Sequence, residues 1–332
     1  MNFFSRSCFG LALAGATLSL ASLTMLAQQS PLRVSDGSQT AHIFPSVPHH
    51  ASLAALLSDP GPLNYNGGPV MTSAKTYAIF WVPATLQTGA ATSLTAHYQT
   101  VQKNFLGDYA AHTLAANDAQ YYQTIAGKTT YIKDVGAFGG FYVDTNPYPA
   151  SGCSDSVTPG NCITDAQLQA EIQRVMTLKG WTGGLGNIFF VYTSTGEGSC
   201  FDSSGSSCAY TQYCAYHSYF TNTLTSQVVV YGNEPFANTT YCQVPGTPSP
   251  TSDPTADAAA NVTSHELTEA ITDPELDAWF TSQGNEIGDI CAWNYGTNTW
   301  KSGGANQMWN GRFYELQLEF DNHAGGCVQV GP

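Results

Sequence analysis

Apolar and aromatic residues fall into three short uninterrupted runs, Thr76–Val82 (TYAIFWV), Ile188–Tyr192 (IFFVY) and Gln227–Tyr231 (QVVVY). Runs this short, rich in β-branched and aromatic types, predict strands buried on both faces. Elsewhere the period becomes helical. Leu94, Tyr98, Val101 and Phe105 share one face over Thr92–Leu106, and Leu168, Ile172, Val175 and Met176 do so after Thr164. Thr164-Asp-Ala-Gln167 spells a capping box and Gly180 a stop. Asp257–Thr272 is a third helix, limited by Pro274. Alternating strands and helices predict one α/β (α+β) domain over residues 63–332, with a central mixed sheet and packed helices. Between the second and third runs lies a Gly-, Ser- and Cys-rich excursion, Thr193–Phe220, expected to lack a core of its own.

The first 62 residues follow a different pattern. Arg6 precedes the apolar stretch Phe9–Leu26, so residues 1–27 predict a secretory signal cleaved near Ala27. That stretch is also long enough for an uncleaved anchor. Residues 28–62 are rich in Pro, Ser, His and Ala, which predicts a linker or pro-segment in which His49 and His50 are merely solvated.

Composition narrows the partners. Only 10% of residues are charged and the formal net charge is −14. Nucleic acid and acidic membrane surfaces are therefore excluded as expected partners, because both select cationic faces. Eight cysteines lie beyond the signal: Cys153, Cys162, Cys200, Cys208, Cys214, Cys242, Cys291 and Cys327. An even set without any C-x-x-C predicts four disulfides and a secreted, extracellular or periplasmic protein. Short loops favour Cys153–Cys162 and Cys200–Cys208, which leaves Cys214–Cys242 and Cys291–Cys327 as the simplest remainder.

Candidate chemistry sits in Ser264-His-Glu-Leu-Thr-Glu-Ala-Ile-Thr-Asp-Pro-Glu275. At helical spacing His265 and Glu269 are one turn apart, so both reach one ion, and Glu266 beside them is placed as a general base. This is the zinc-protease spelling with a carboxylate in place of the second imidazole. Ala259, Ala260, Leu267, Ala270 and Ile271 fall on the opposite side, so the bland alternative is a solvated acidic face. The surroundings favour a metal. No Lys or Arg occurs between Lys179 and Lys301, yet residues 266–289 hold Glu266, Glu269, Asp273, Glu275, Asp277, Glu286 and Asp289. Like charges at this density destabilise a helix unless a cation joins them.

Asn285-Glu-Ile-Gly-Asp-Ile-Cys291 offers Glu286 and Asp289 as further ligands, preferred here over Glu275. Asp273 and His217 are additional candidates, although an aromatic-flanked His217 is more simply a structural hydrogen-bonding residue. One imidazole with several carboxylates suits Zn²⁺, with Ca²⁺ or Mn²⁺ as alternatives. Tyr216, Tyr219, Trp279, Trp293 and Trp300 either stack on sugars or pack the core, the second being the commoner use.

Several segments together resemble the phosphate-induced protein 1 (EXORDIUM-like) family and its bacterial secreted relatives. They are Asn64-Tyr-Asn-Gly-Gly-Pro-Val70 followed by Ile79-Phe-Trp81, Cys214-Ala-Tyr-His-Ser-Tyr-Phe220, Asp273-Pro274, and the Glu286 to Cys291 run. The resemblance spans roughly residues 63–330 and implies the fold and secretion more than a reaction. Plant members are associated with the cell wall and growth. Bacterial relatives with an H-E-L-x-E segment are treated as metallopeptidase candidates, and His265, Glu266 and Glu269 match that segment. The resulting expectation is a disulfide-stabilised, zincin-like domain. It would bind a divalent metal through His265, Glu269 and Glu286 or Asp289, and hydrolyse a protein or peptide substrate with Glu266 as base. The alternative is a non-catalytic extracellular protein with a structural metal site that contacts cell-wall polysaccharide.

Overall fold

A computed structural model describes residues 32–331 apart from 54–58, 110–113, 134–135, 238–239, 243–247, 301 and 303. The expected signal segment and its cleavage near Ala27 lie outside the described residues.

The three apolar runs form the middle of one seven-stranded sheet. Its strands are β1 (Arg33–Ser35), β2 (Thr40–Pro45), β3 (Ala74–Trp81), β4 (Gly136–Asp144), β5 (Asn187–Thr193), β6 (Tyr213–Thr221) and β7 (Val228–Glu234), in spatial order β1-β2-β6-β7-β5-β3-β4. From β7 through β5 and β3 to β4 the pairs are parallel. From β7 through β6 and β2 to β1 they are antiparallel. The sheet is therefore mixed. Ile79, Phe80, Phe189, Phe190, Val191, Val229 and Val230 are fully buried in it, each side chain contributing roughly 1.5–3 kcal/mol.

Side-chain alternation assigns the helices to faces. Tyr231 pairs with Ser218 and Phe189 across its neighbours, and the Tyr231 and Tyr216 hydroxyls both donate to Asp165 at the start of α3 (Asp165–Lys179). One residue along, His217, Gly232 and Phe190 are in register and point to the other face. There α4 (Pro254–Thr272) packs, next to α2 (Ala96–Asp108). The expected capping box at Thr164 is present, and α3 ends at Gly180 with φ 66, a conformation that glycine adopts without penalty. Asp253 caps α4 through the backbone N–H groups of Thr255 and Ala256, and Pro254 occupies the first turn.

All four disulfides form: Cys153–Cys162, Cys200–Cys208, Cys214–Cys242 and Cys291–Cys327. Such a set suits an oxidising compartment. Among the described residues no helix is long and apolar enough to cross a membrane.

Two expectations and one alternative need correction. The described part of residues 28–62 is not a loose linker: β1 and β2 join the central sheet, and Ala41, His42, Ile43 and Phe44 are buried in it. The Pro/Ser-rich flanks conceal a six-residue strand, TAHIFP, that the sheet completes by pairing. α1 (Val47–Leu53) follows, carrying half-buried His49 and His50. The excursion Thr193–Phe220 is only partly coreless, because Tyr213 onward is strand β6, with Tyr213, Ala215, Tyr216 and His217 fully buried. Finally, α4 has no solvated face. Every side chain from Ala256 to Thr272 is buried, acidic ones included.

The aromatic residues divide similarly. Tyr216 and Trp279 pack the core and Trp293 stacks on Phe44, whereas Trp300 is exposed.

Candidate metal centre

The centre is assembled from four pieces of chain on one face of the sheet. α4 presents His265, Glu266, Glu269 and, at its C-terminal cap, Asp273. β6 contributes His217, and β2 contributes His42, its register partner. The loop after α4 brings Glu286, and the short helical turn Asp289–Cys291 brings Asp289. The Cys291–Cys327 disulfide pins that turn. All eight side chains are fully buried.

Glu269 is the hub. Its Oε1 lies 3.0 Å from His265 Nε2, and its Oε2 lies 3.3 Å from His42 Nδ1 and 3.6 Å from His217 Nδ1. Glu286 spans the same two strand histidines, Oε1 at 3.2 Å from His42 Nδ1 and Oε2 at 3.6 Å from His217 Nε2. Asp289 lies 3.4 Å from His42 Nε2 and 3.9 Å from His265 Nε2. Glu266 lies 3.1 Å from His217 Nδ1 and accepts the Phe44 backbone N–H at 3.1 Å. Asp273 accepts from Ala278 N–H and has Arg33 Nη2 at 3.7 Å. The same guanidinium is 3.8 Å from Glu286 and is the one Lys or Arg side chain in ion-pair contact with the cluster among the described residues.

Close supports fix these positions. Phe44 stacks on the His265 ring at 4.2 Å. The Gln317 amide sits 2.9 Å from His265 Nδ1, so the Nε2 edge turns toward the carboxylates. A metal on Nε2 would require the ring proton on Nδ1, and Nδ1 here faces the donor Gln317 Nε2, so the Gln317 amide would have to turn over to present its partnerless Oε1 as acceptor. Gly288 runs so close that an added Cβ would lie 2.5 Å from His265 Nδ1.

The electrostatics of these residues is unbalanced. Burial pushes the carboxyls of Glu266, Glu269, Glu286 and Asp289 well above the usual range, and Asp273 up to about 7. Burial equally lowers the imidazoles, His265 to about 4, His217 to about 3 and His42 well below its ordinary value. Histidine and carboxylate are thus within ion-pair distance, yet burial drives both toward their neutral forms. Several donors also lack hydrogen-bond partners: Nε2 of all three histidines, Glu269 Oε1, both Glu286 oxygens and Asp289 Oδ1. Buried polar atoms are normally satisfied, so a convergent set of orphans is what a ligand would relieve. His42, Glu269 and Asp289 each offer a donor within 4.8 Å of the others, and so do His217, Glu266 and Glu269. These residues could hold a divalent ion, and their nitrogen–oxygen set is compatible with several metals.

Of the residues singled out from sequence, His217, His265, Glu266, Glu269, Asp273, Glu286 and Asp289 meet here. Glu275 is only half-buried and belongs to neither donor triad. Sequence reasoning missed His42 and Arg33. At strand period TAHIFP puts His42 and Phe44 on one face, but the polar His42 and the closing Pro45 break the apolar run that marks a strand. Arg33 carried no signal at all.

No protein-family model, no curated protein and no solved structure matches this chain.

Proposed function

We propose that this is an extracellular divalent-metal-binding protein, whose metal ties α4 to β2, β6 and the 285–291 loop. The observation that carries this reading is the convergence of three unpartnered histidine nitrogens on unpartnered carboxylate oxygens, all out of solvent. Without a cation those groups stay buried at the cost of their protonation. With one, each gains a bond and the carboxylates shed protons. The test is elemental analysis of the full chain purified without added chelator, followed by thermal unfolding before and after metal removal. Stoichiometric metal and a lowered midpoint on removal support the reading. Metal-free protein that takes up none of Zn²⁺, Mn²⁺ or Ca²⁺ sinks it.

A second reading, metal-dependent hydrolysis of peptides, has its own support. His265, Glu266 and Glu269 keep the spacing of a zinc-peptidase helix, and bacterial EXORDIUM-like relatives with that segment are treated as peptidase candidates. Here β2 is itself an extended segment lying antiparallel along β6, with the Phe44 N–H on Glu266. A bound ion would supply an acidified water, and Glu266 would take its proton. Complete burial of the site weighs toward the structural role, with exposed Trp300 as the aromatic open to polysaccharide. Hydrolysis of unfolded protein by wild type, lost in Glu266→Gln with metal content kept, would establish the peptidase. No hydrolysis across a broad pH range leaves the structural centre.

A further inference from the structure

We infer that the centre takes two divalent ions, with Glu269 common to both. The inference rests on the metal-binding reading above and adds its nuclearity. Two donor triads exist, His42–Glu269–Asp289 and His217–Glu266–Glu269, and Glu269 is their shared member. The His42 and His217 ring centroids are 6.1 Å apart in an edge arrangement. Each imidazole therefore has a carboxylate neighbourhood of its own: Asp289 at 3.4 Å for His42, Glu266 at 3.1 Å for His217. His265 stands beside the first, 3.9 Å from Asp289. Glu269 turns Oε2 to both strand histidines and Oε1 to His265, whereas Glu286 turns one oxygen toward each strand histidine, neither of them hydrogen-bonded. Two carboxylates with their oxygens shared between two imidazoles are what a pair of ions uses and a single ion would leave half idle.

The charge points the same way. Of Glu266, Glu269, Asp273, Glu286 and Asp289, Asp273 and Glu286 have the Arg33 guanidinium within ion-pair distance, and no other Lys or Arg reaches the set among the described residues. Once ionised, the five carry more negative charge than Arg33 and one divalent ion balance.

In this arrangement Glu266 is a ligand of the second ion, which distinguishes it from the free base of the peptidase reading. Equilibrium dialysis of the full chain against Zn²⁺, and separately Mn²⁺, counts the ions directly. Paramagnetic resonance of the Mn²⁺ form reports exchange coupling through a shared carboxylate. Two ions per chain with coupling are expected in wild type. Asp289→Asn and His42→Asn should each keep one ion, His217→Asn and Glu266→Gln should each keep the other, and Glu269→Gln should bind neither tightly. Circular dichroism of each variant separates ligand loss from misfolding. A single uncoupled ion in folded wild type overturns the pair while leaving the metal-binding reading intact. No ion at all overturns both.

Discussion

His42 on β2 and His217 on β6 are register partners in an antiparallel pair, and both imidazoles therefore emerge on the α4 side of the sheet. A strand near the beginning of the chain and one in its middle thus supply two of the three nitrogens around Glu269. This pairing makes the centre depend on the N-terminal segment. Removing the His42 imidazole in His42→Ala should weaken metal binding by at least tenfold, read by competition with a chromophoric chelator. The same change at His49, half-buried on α1 outside either triad, should leave affinity within a factor of two.

Protons compete with metal for every ligand here. Asp273 holds its proton up to about pH 7 because it is buried, and the ligand carboxyls are pushed upward for the same reason. Histidines titrating near 3 and 4 stay neutral and available until strongly acid pH. Metal affinity should therefore fall as pH drops, with protonation of the raised ligand carboxyls as its cause. Calorimetric titration at pH 8, 7, 6 and 5 checks this, and an affinity that is flat over that range contradicts it.

Gly288 leaves no room for a methyl group beside His265 and Glu269, the nearest atom being 2.5 Å from its Cβ position. Gly288→Ala should displace the His265 ring or the loop that carries Asp289. Metal affinity should drop by an order of magnitude or more, with overall secondary structure unchanged by circular dichroism.

The Cys291–Cys327 bridge closes 36 residues and holds the turn bearing Asp289. Loop-closure entropy puts its contribution at about 4 kcal/mol. The Cys291→Ser/Cys327→Ser double variant should lose stability of that order in denaturant and release its metal at lower chelator concentration. The Cys200–Cys208 pair closes only 8 residues outside the centre, and its loss should leave metal retention unchanged.

Asp165 gives a pH dependence that needs no metal. Burial pushes its carboxyl up to about 6 despite donors from Tyr216, Tyr231 and Gln169. The folded chain holds this proton more tightly than the unfolded one, whose value is 3.8. The contribution is complete below about pH 4 and is lost as pH rises through about 6, on the order of 3 kcal/mol. Asp165→Asn should flatten stability over that window, measured as urea midpoints from pH 4 to 7.

Much of the framework was legible along the chain. β3, β5 and β7 announce themselves through the apolar stretches Tyr77–Trp81, Ile188–Tyr192 and Val228–Tyr231, which sit inside the sheet and which no polar position interrupts. α3 carries its own start and stop in Thr164, Gln167 and Gly180, since caps are local hydrogen-bond chemistry. The spacing of His265, Glu266 and Glu269 likewise needs nothing beyond the helical period. β2 and β6 were hidden for the opposite reason. His42, His217 and Ser218 interrupt their apolar pattern, and those polar residues are tolerated in the interior only because α4 and Thr40 meet them there.

The sequence by itself determined which residues lie on one helical turn, how many disulfides form, and that carboxylates crowd one cation-free stretch. Only the tertiary structure decided that this acidic helix is buried all round, that His42 and His217 complete its site, and that Arg33 is its ion-pairing guanidinium. A side chain's spacing fixes its direction relative to its own element. The neighbours it meets depend on strand order and register, set by pairings between segments far apart in the chain.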